Sequence, residues 1–306
     1  MSNIKSKSKK KLDVQAGLLA LRKKTPALEN IFDAFGPLVQ AQERGCELLQ
    51  DWNGFVLPAA YAPRFEQGVP LLSEMELPEL GDLYQEIFFV MAEAVAAGMP
   101  NITEHISDIT SALKNTENVN DLAKAIWDED GPLLEKLIEN LKVDSQTLVF
   151  LGTVSLKPFM VRMEADSAKA IENMQWSKGY CPVCGTFPDL SLLKKSGDDN
   201  AYLKSHGGQR WLHCSCCSHE WRFKRNMCPW CESEDYEKLR YLQADEIKNE
   251  RVDVCDCCNR YFVTIDTREL VVSPDPRVAP LGLVHLDIKA QEEEYIPMAE
   301  TPWNVL

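Results

Sequence analysis

Apolar residues recur at helical spacing through the first half of the chain. Thr25-Pro26 reads as an N-cap followed by proline at the first helical position, where the missing N–H is not needed. Leu28, Ile31, Phe32, Phe35, Leu38 and Val39 then fall on one face. Pro58, Pro63, Pro70 and Pro78 break the pattern and predict a long irregular connection over residues 53–79. A strongly apolar helix is predicted from Leu80 to Ala97 through Leu83, Ile87, Val90, Met91 and Val95. Asn101-Ile102-Thr103-Glu104 predicts the cap of another helix. Asn120-Asp121 predicts the start of one ending near Asp128, Gly131-Pro132 the start of a short one, and Asp144-Ser145 the cap of a long one reaching about Asn173. β-branched alternation is scarce, so residues 12–175 are expected to form an α-helical domain with Phe88, Phe89, Met91, Met160 and Met163 in its core. Residues 1–11 form a lysine-rich tail expected to be disordered.

After Gly179 the period changes and segments become short and turn-rich. Arg210-Trp211-Leu212-His213 and Trp221-Arg222-Phe223 read as strands flanking a turn, and Tyr261 to Ile265 as a further strand. Val278 to Glu293 is expected to return as a helix. The fold class is therefore multidomain, α plus small β: a helical N-terminal domain followed by two small β units, 176–226 and 227–306.

Those two units carry the chemistry. Ten of the 11 cysteines lie beyond residue 180, in two copies of one pattern. Cys181-Pro182-Val183-Cys184 is followed by Cys214-Ser215-Cys216-Cys217, and Cys228-Pro229-Trp230-Cys231 by Cys255-Asp256-Cys257-Cys258. An arginine, Arg210 or Arg251, stands four residues before each closing knuckle. Two Cys-x-x-Cys turns supply the four thiolates of one tetrahedral metal site, so Cys181, Cys184, Cys214, Cys217, Cys228, Cys231, Cys255 and Cys258 predict two sites. Spacing does not separate zinc from a single rubredoxin-type iron, since both accept tetrahedral sulfur. Sequential pairing makes each copy a complete ribbon; one interleaved pair of sites is the alternative. Gly185, after the first knuckle, permits a left-handed backbone. Cys216 and Cys257 occupy the same place in both copies. They are either bystander thiols of shared descent, or an alternative ligand or redox-active neighbour of the metal. His213 and His219 flank the second knuckle, and full thiolate sites need neither as ligands. His105, His206 and His285 show no ligand spacing, and Cys46 is expected to be a small buried residue.

The formal net charge of −14 lacks the basic footprint of a nucleic-acid binder. Neither a secretory signal nor an apolar run of membrane-spanning length is read, so the expected location is cytoplasmic, with no membrane insertion. In a reducing compartment clustered Cys-x-x-Cys pairs are metal ligands rather than disulfides. No Walker loop, dinucleotide fingerprint or Ser–His–Asp arrangement is found. Closed four-thiolate sites keep no open coordination position, which points away from an enzyme.

The pattern resembles the FdhE family of formate dehydrogenase accessory proteins. The resemblance rests on Tyr180 to Gly185, Trp211 to Cys217 with Glu220-Trp221, Cys228 to Cys231, and Cys255 to Cys258. Asp275-Pro276-Arg277-Val278, Leu283 to Asp287 and Tyr295 fit the family's C-terminal tail. It implies a helical domain followed by two rubredoxin-like domains, with iron held by the eight Cys-x-x-Cys sulfurs. It also implies an assembly role: binding the catalytic subunit of formate dehydrogenase before twin-arginine export. Asn259 stands where glycine is usual after the fourth knuckle, and Asn also tolerates the left-handed conformation. Two other readings compete. One is a rubredoxin-type electron-transfer protein. The other is a nucleic-acid-binding zinc ribbon, suggested by Arg222, Lys224 and Arg225 beside Trp221 and Phe223 and opposed by the net charge.

Overall fold

The computed structural model describes residues 13–58, 60–114, 116–195, 208–244 and 247–305. The lysine-rich tail 1–11 and His206 lie outside them. The chain divides into two compact units. One is Glu29–Thr186 with Cys216–His219; the other comprises the described residues of Met1–Leu28, Phe187–Ser215 and Glu220–Leu306.

The first unit is helical. α2 (Glu29–Leu48), α4 (Gly81–Gly98) and α8 (Ser145–Ile171) pack on one another. Their apolar faces bury Phe32, Leu38, Ile87, Phe88, Met91, Leu151, Phe159 and Met163. Each such side chain contributes about 1.5–3 kcal/mol relative to exposure. Tyr84 on α4 is also buried, and its hydroxyl donates to the Gly152 carbonyl of α8 (2.9 Å). A Cβ at Gly45 would lie 2.7 Å from Pro158 Cγ, so only glycine lets α2 approach α8 there. Local signals set several starts. Asp144 accepts from the Thr147 N–H at α8, and Asp130 from the Leu133 N–H at α7 (Gly131–Leu141). α5 (Thr103–Ala112) follows a 3₁₀ turn at Pro100–Ile102 and has Ile102 at its N-cap with no side-chain cap. The irregular stretch after Trp52 contains one short helix, α3 (Tyr61–Glu66), which admits Pro63 in its first turn. α6 (Thr116–Trp127) starts a turn earlier than Asn120-Asp121 predicts, because Val119 already belongs to the buried face with Leu122 and Ala123.

The second unit holds a seven-stranded sheet: β1 (Pro188–Lys194), β2 (Gln209–Cys214), β3 (Glu220–Phe223), β4 (Leu239–Leu242), β5 (Glu250–Cys255), β6 (Arg260–Asp266) and β7 (Ile296–Pro297). The spatial order is β3-β2-β1-β6-β5-β4, with β7 beside β6. Each cysteine copy thus supplies a three-stranded antiparallel meander. The repeat persists in the register: Arg210 of β2 faces Phe223, and Arg251 of β5 faces Thr264. Parallel pairing of β1 with β6, Leu190 opposite Val263, joins the copies into one sheet across the 226/227 division of the sequence. Leu190 and Leu192 share one buried core with Val252, Val254, Tyr261, Val263 and Ile265. A 3₁₀ turn (Ala279–Leu283) and α9 (Val284–Glu292) cover that core with Leu283, Leu286 and Ala290. The N-terminal helix α1 (Val14–Lys24) belongs to this unit: Gly17 meets Val278, Leu21 meets Gly282, and Lys24 pairs with Glu250. Among the described residues no helix is long and apolar enough to cross a membrane.

Candidate metal centres

The local rule for each knuckle is a Cys-x-x-Cys turn that leaves through a left-handed residue. The four exits are Gly185 (φ 83°), Ser218 (61°), Glu232 (58°) and Asn259 (57°). The turn closes when the exit N–H donates to the first cysteine's carbonyl: Gly185 to Cys181 (2.9 Å), Glu232 to Cys228 (3.0 Å) and Asn259 to Cys255 (2.8 Å). The opening knuckles are pinned a second time, Cys181 N–H to Thr186 O and Cys228 N–H to Ser233 O, both 2.9 Å. The closing knuckles follow the ends of β2 and β5, which terminate at Cys214 and Cys255.

These turns bring the eight predicted cysteines into two groups of four, Cys181, Cys184, Cys214 and Cys217, and Cys228, Cys231, Cys255 and Cys258. Within each group all four sulfurs lie within 4.8 Å of one another. The grouping follows sequential pairing, not the interleaved alternative. Sulfur–sulfur separations include 3.5 Å for Cys181–Cys217 and 3.7 Å for both Cys228–Cys258 and Cys231–Cys255. A tetrahedral ion with metal–sulfur bonds of about 2.3 Å has sulfur–sulfur edges of about 3.8 Å, so both donor sets fit one such ion each. The donor chemistry fits zinc and iron alike.

The two groups differ in their surroundings. Cys181, Cys214 and Cys217 are fully buried and Cys184 half-buried. In the second group Cys231 is exposed and Cys258 half-buried. Burial pushes the metal-free Cys228 thiol up to about 12 and Cys258 higher still. For Cys231 the burial effect is outweighed by the Ser233 N–H and the neighbouring thiols, so its pKa falls. Metal uptake at pH 7 therefore displaces protons from buried thiols of this group. Around the second centre, Trp230 lies between Phe187 (centroids 4.2 Å apart) and the Arg260 guanidinium (3.5 Å from the ring). Asp256 accepts both Arg240 donors (2.8 and 3.0 Å) and the Tyr295 hydroxyl (2.6 Å), and Arg240 holds its carboxyl below the usual range.

Cys216 and Cys257 stand outside both groups. Cys216 is half-buried; Cys257 is exposed, its sulfur 3.4 Å from Ser233 Oγ. His213 Nδ1 meets Asp189 (2.9 Å) and His219 Nδ1 meets Glu164 (2.8 Å), so neither ring joins a sulfur set. His105 is exposed and His285 half-buried, its pKa lowered by burial. Cys46 is half-buried on α2 rather than buried. In the basic run, Lys224 pairs with Glu234 (2.9 Å). What sequence reading missed is the meeting of the two repeated arginines on Asp253: Arg210 Nη2 at 3.2 Å, Arg251 Nη2 at 3.1 Å and Nε at 3.2 Å, with the Thr264 hydroxyl at 2.5 Å. Their common offset from the closing knuckles was the available signal.

Comparison with known proteins agrees with this architecture. The family model described as FdhE, central domain, matches residues 180–225. A protein FdhE homolog of Aquifex aeolicus is 31% identical over 164 residues, 54% of this chain and 54% of the relative. Protein FdhE of Escherichia coli K12 is 24% identical over 194 residues, 62% of this chain and 55% of the relative. The chain thus spans about half the length of the curated relatives it matches. The crystal structure of the FdhE protein from Pseudomonas aeruginosa shares the fold, with TM-score 0.52 and 20% identity over 91% of this chain and 96% of that one.

Proposed function

We propose that the chain is a member of the FdhE family and an accessory protein for the maturation of formate dehydrogenase. It binds the catalytic subunit in the cytoplasm, before twin-arginine export, and carries two four-thiolate metal centres without catalysing a reaction itself. The observation that carries this reading is the pair of closed four-cysteine groups. Four protein sulfurs fill a tetrahedral ion and leave no position for substrate, so the ions organise a surface rather than activate water. The exposed acidic run Glu292, Glu293 and Glu294 at the end of α9 offers charge to a basic export signal. The test is anaerobic purification with metal analysis and an optical spectrum, followed by capture of the immature formate dehydrogenase catalytic subunit. Metal-loaded protein with no affinity for that subunit would refute the reading.

A second reading, a rubredoxin-type electron carrier, is favoured by the exposure of Cys231, which brings the second centre to the surface. Reversible reduction of bound iron without subunit binding would select it; a zinc-filled protein removes it.

A further inference from the structure

Beside the second cysteine group lies a cavity of about 450 Å³, within the usual range for small-molecule sites. Cys228 and Cys255 form part of its wall, Tyr236 and Tyr241 are exposed aromatic residues on its lining, and its charged residues are Arg210, Arg225, Arg240, Arg251 and Asp253. Four guanidinium groups in one cavity is notable in a chain of net charge −14.

Arg240 is matched by Asp256, outside the lining. Asp253 is the carboxylate shared by Arg210 and Arg251. Asp266, the other carboxylate near Arg225, already holds Arg268 at 2.6 Å. Asp253 therefore offsets one of Arg210, Arg225 and Arg251, and the other negative charge at the wall is that of the four-thiolate centre, about −2 once its sulfurs hold a divalent ion. Arg210 is only 4% exposed, and its buried Nε has no acceptor among the described residues. A buried charged donor left unsatisfied is costly. Burial first, and then the charges of Arg251 and Arg225, lower the Arg210 pKa; burial and the charges of Arg268 and Arg251 do the same at Arg225.

We infer that this cavity is a binding site for a phosphate group, as inorganic phosphate or a phosphate monoester. Arg210, Arg225 and Arg251 present more N–H donors than Asp253 accepts, and the oxygens of a phosphate accept from more of them at once than the two of a carboxylate do. Planar guanidinium donors also match phosphate oxygens in pairs. The exposed rings of Tyr236 and Tyr241 give a monoester an apolar neighbour for the rest of its body.

The test is calorimetric titration of the metal-loaded full chain at constant ionic strength with inorganic phosphate, phenyl phosphate and acetate. One phosphate binds per chain, acetate binds at least about ten-fold more weakly, and Arg225→Gln weakens phosphate by about ten-fold or more, the range of a charged hydrogen bond. Arg222→Gln, altering an exposed arginine outside the cavity, leaves the titration unchanged, and both variants keep the wild-type metal content. Tighter binding of phenyl phosphate assigns the site to a monoester; equal or weaker binding assigns it to the free ion. Acetate titrating like phosphate, Arg222→Gln losing as much as Arg225→Gln, or absence of saturable phosphate binding would each overturn the inference. Metal loss from Arg225→Gln without phosphate binding to the wild type would show that the arginines instead balance the thiolate charge.

Discussion

Ser218→Gly should stabilise the metal-loaded protein, and the four knuckle exits show by how much. Ser218 sits at φ 61°, where an L-residue strains by about 1–2 kcal/mol. Its hydroxyl oxygen is also buried without a partner among the described residues, a further cost of about 1–3 kcal/mol. Glycine removes both and gives back about 0.5–1 kcal/mol through the greater freedom of the unfolded chain. The net expectation is a gain of about 1–4 kcal/mol. Gly185 is the reciprocal case. Alanine there meets the same left-handed strain, and its Cβ would lie 3.2 Å from Pro70 Cγ, so Gly185→Ala loses about 1–2 kcal/mol. Asn259→Gly should not gain. Asn tolerates this backbone, and its Nδ2 donates to the Glu294 carbonyl (2.6 Å), a bond worth about 1 kcal/mol. Urea unfolding of the three variants at matched metal content measures the series. A Ser218→Gly protein no more stable than the parent, or an Asn259→Gly protein that gains as much, would refute the backbone argument.

Serine at Cys217 should reduce bound metal from two ions per chain to one, and serine at Cys258 should do the same at the other centre, because the groups share no sulfur; elemental analysis reads both, and loss of both ions from either variant would contradict independent sites. Asp253→Asn should destabilise by about 3–5 kcal/mol, since it strips the carboxylate from the buried Arg210 guanidinium; thermal unfolding of loaded protein checks it, and a loss under about 1 kcal/mol would mean that Arg251 alone needs that carboxylate. Asp287 is buried, and burial, then the charge of Asp189, raise its pKa to about 7 from the ordinary 3.8. The folded state then holds this proton more tightly than the unfolded chain, so the associated stability is complete below about pH 4 and is lost as pH rises towards 7. Unfolding curves should show about 1–2 kcal/mol less stability at pH 8 than at pH 6 from this group, a difference that Asp287→Asn removes; an unchanged slope in the variant would sink the assignment.

What was legible in the sequence is what is local. Each knuckle is decided by five consecutive residues, and the left-handed exits predicted at Gly185 and Asn259 are left-handed. Asp130 and Asp144 announce their helices because the cap is made within three residues. The parallel pairing of Leu190 with Val263 brings together residues more than 70 positions apart, and no local pattern encodes it. β4 left no signal because it lies at the sheet edge, with Arg240 and Tyr241 exposed and no alternation to read. β5 did carry one: Val252 and Val254 point into the core while Arg251 and Asp253 point to the cavity. α1 reads as one more amphipathic helix of the N-terminal half, and its place beside Val278 and Gly282 follows from tertiary packing alone.

Two copies of one motif give unequal centres because their surroundings differ. The first opening knuckle leads into β1, which is paired on both edges by β2 and β6. The second leads into β4, which is paired only by β5 and ends the sheet. The first opening knuckle is covered by an earlier stretch of its own unit: the Leu71 N–H donates to the Pro182 carbonyl (3.0 Å) and the Leu72 N–H to the Val183 carbonyl (2.8 Å). Cys184 is half-buried while Cys231, at the same place in its turn, is exposed; the first cysteines of the two turns, Cys181 and Cys228, are both buried. Duplication supplied identical ligands, and their surroundings made them different. The first set, with three of its four cysteines buried, would shield an ion, and the second, with Cys231 exposed, is the one that a partner or a chelator can reach.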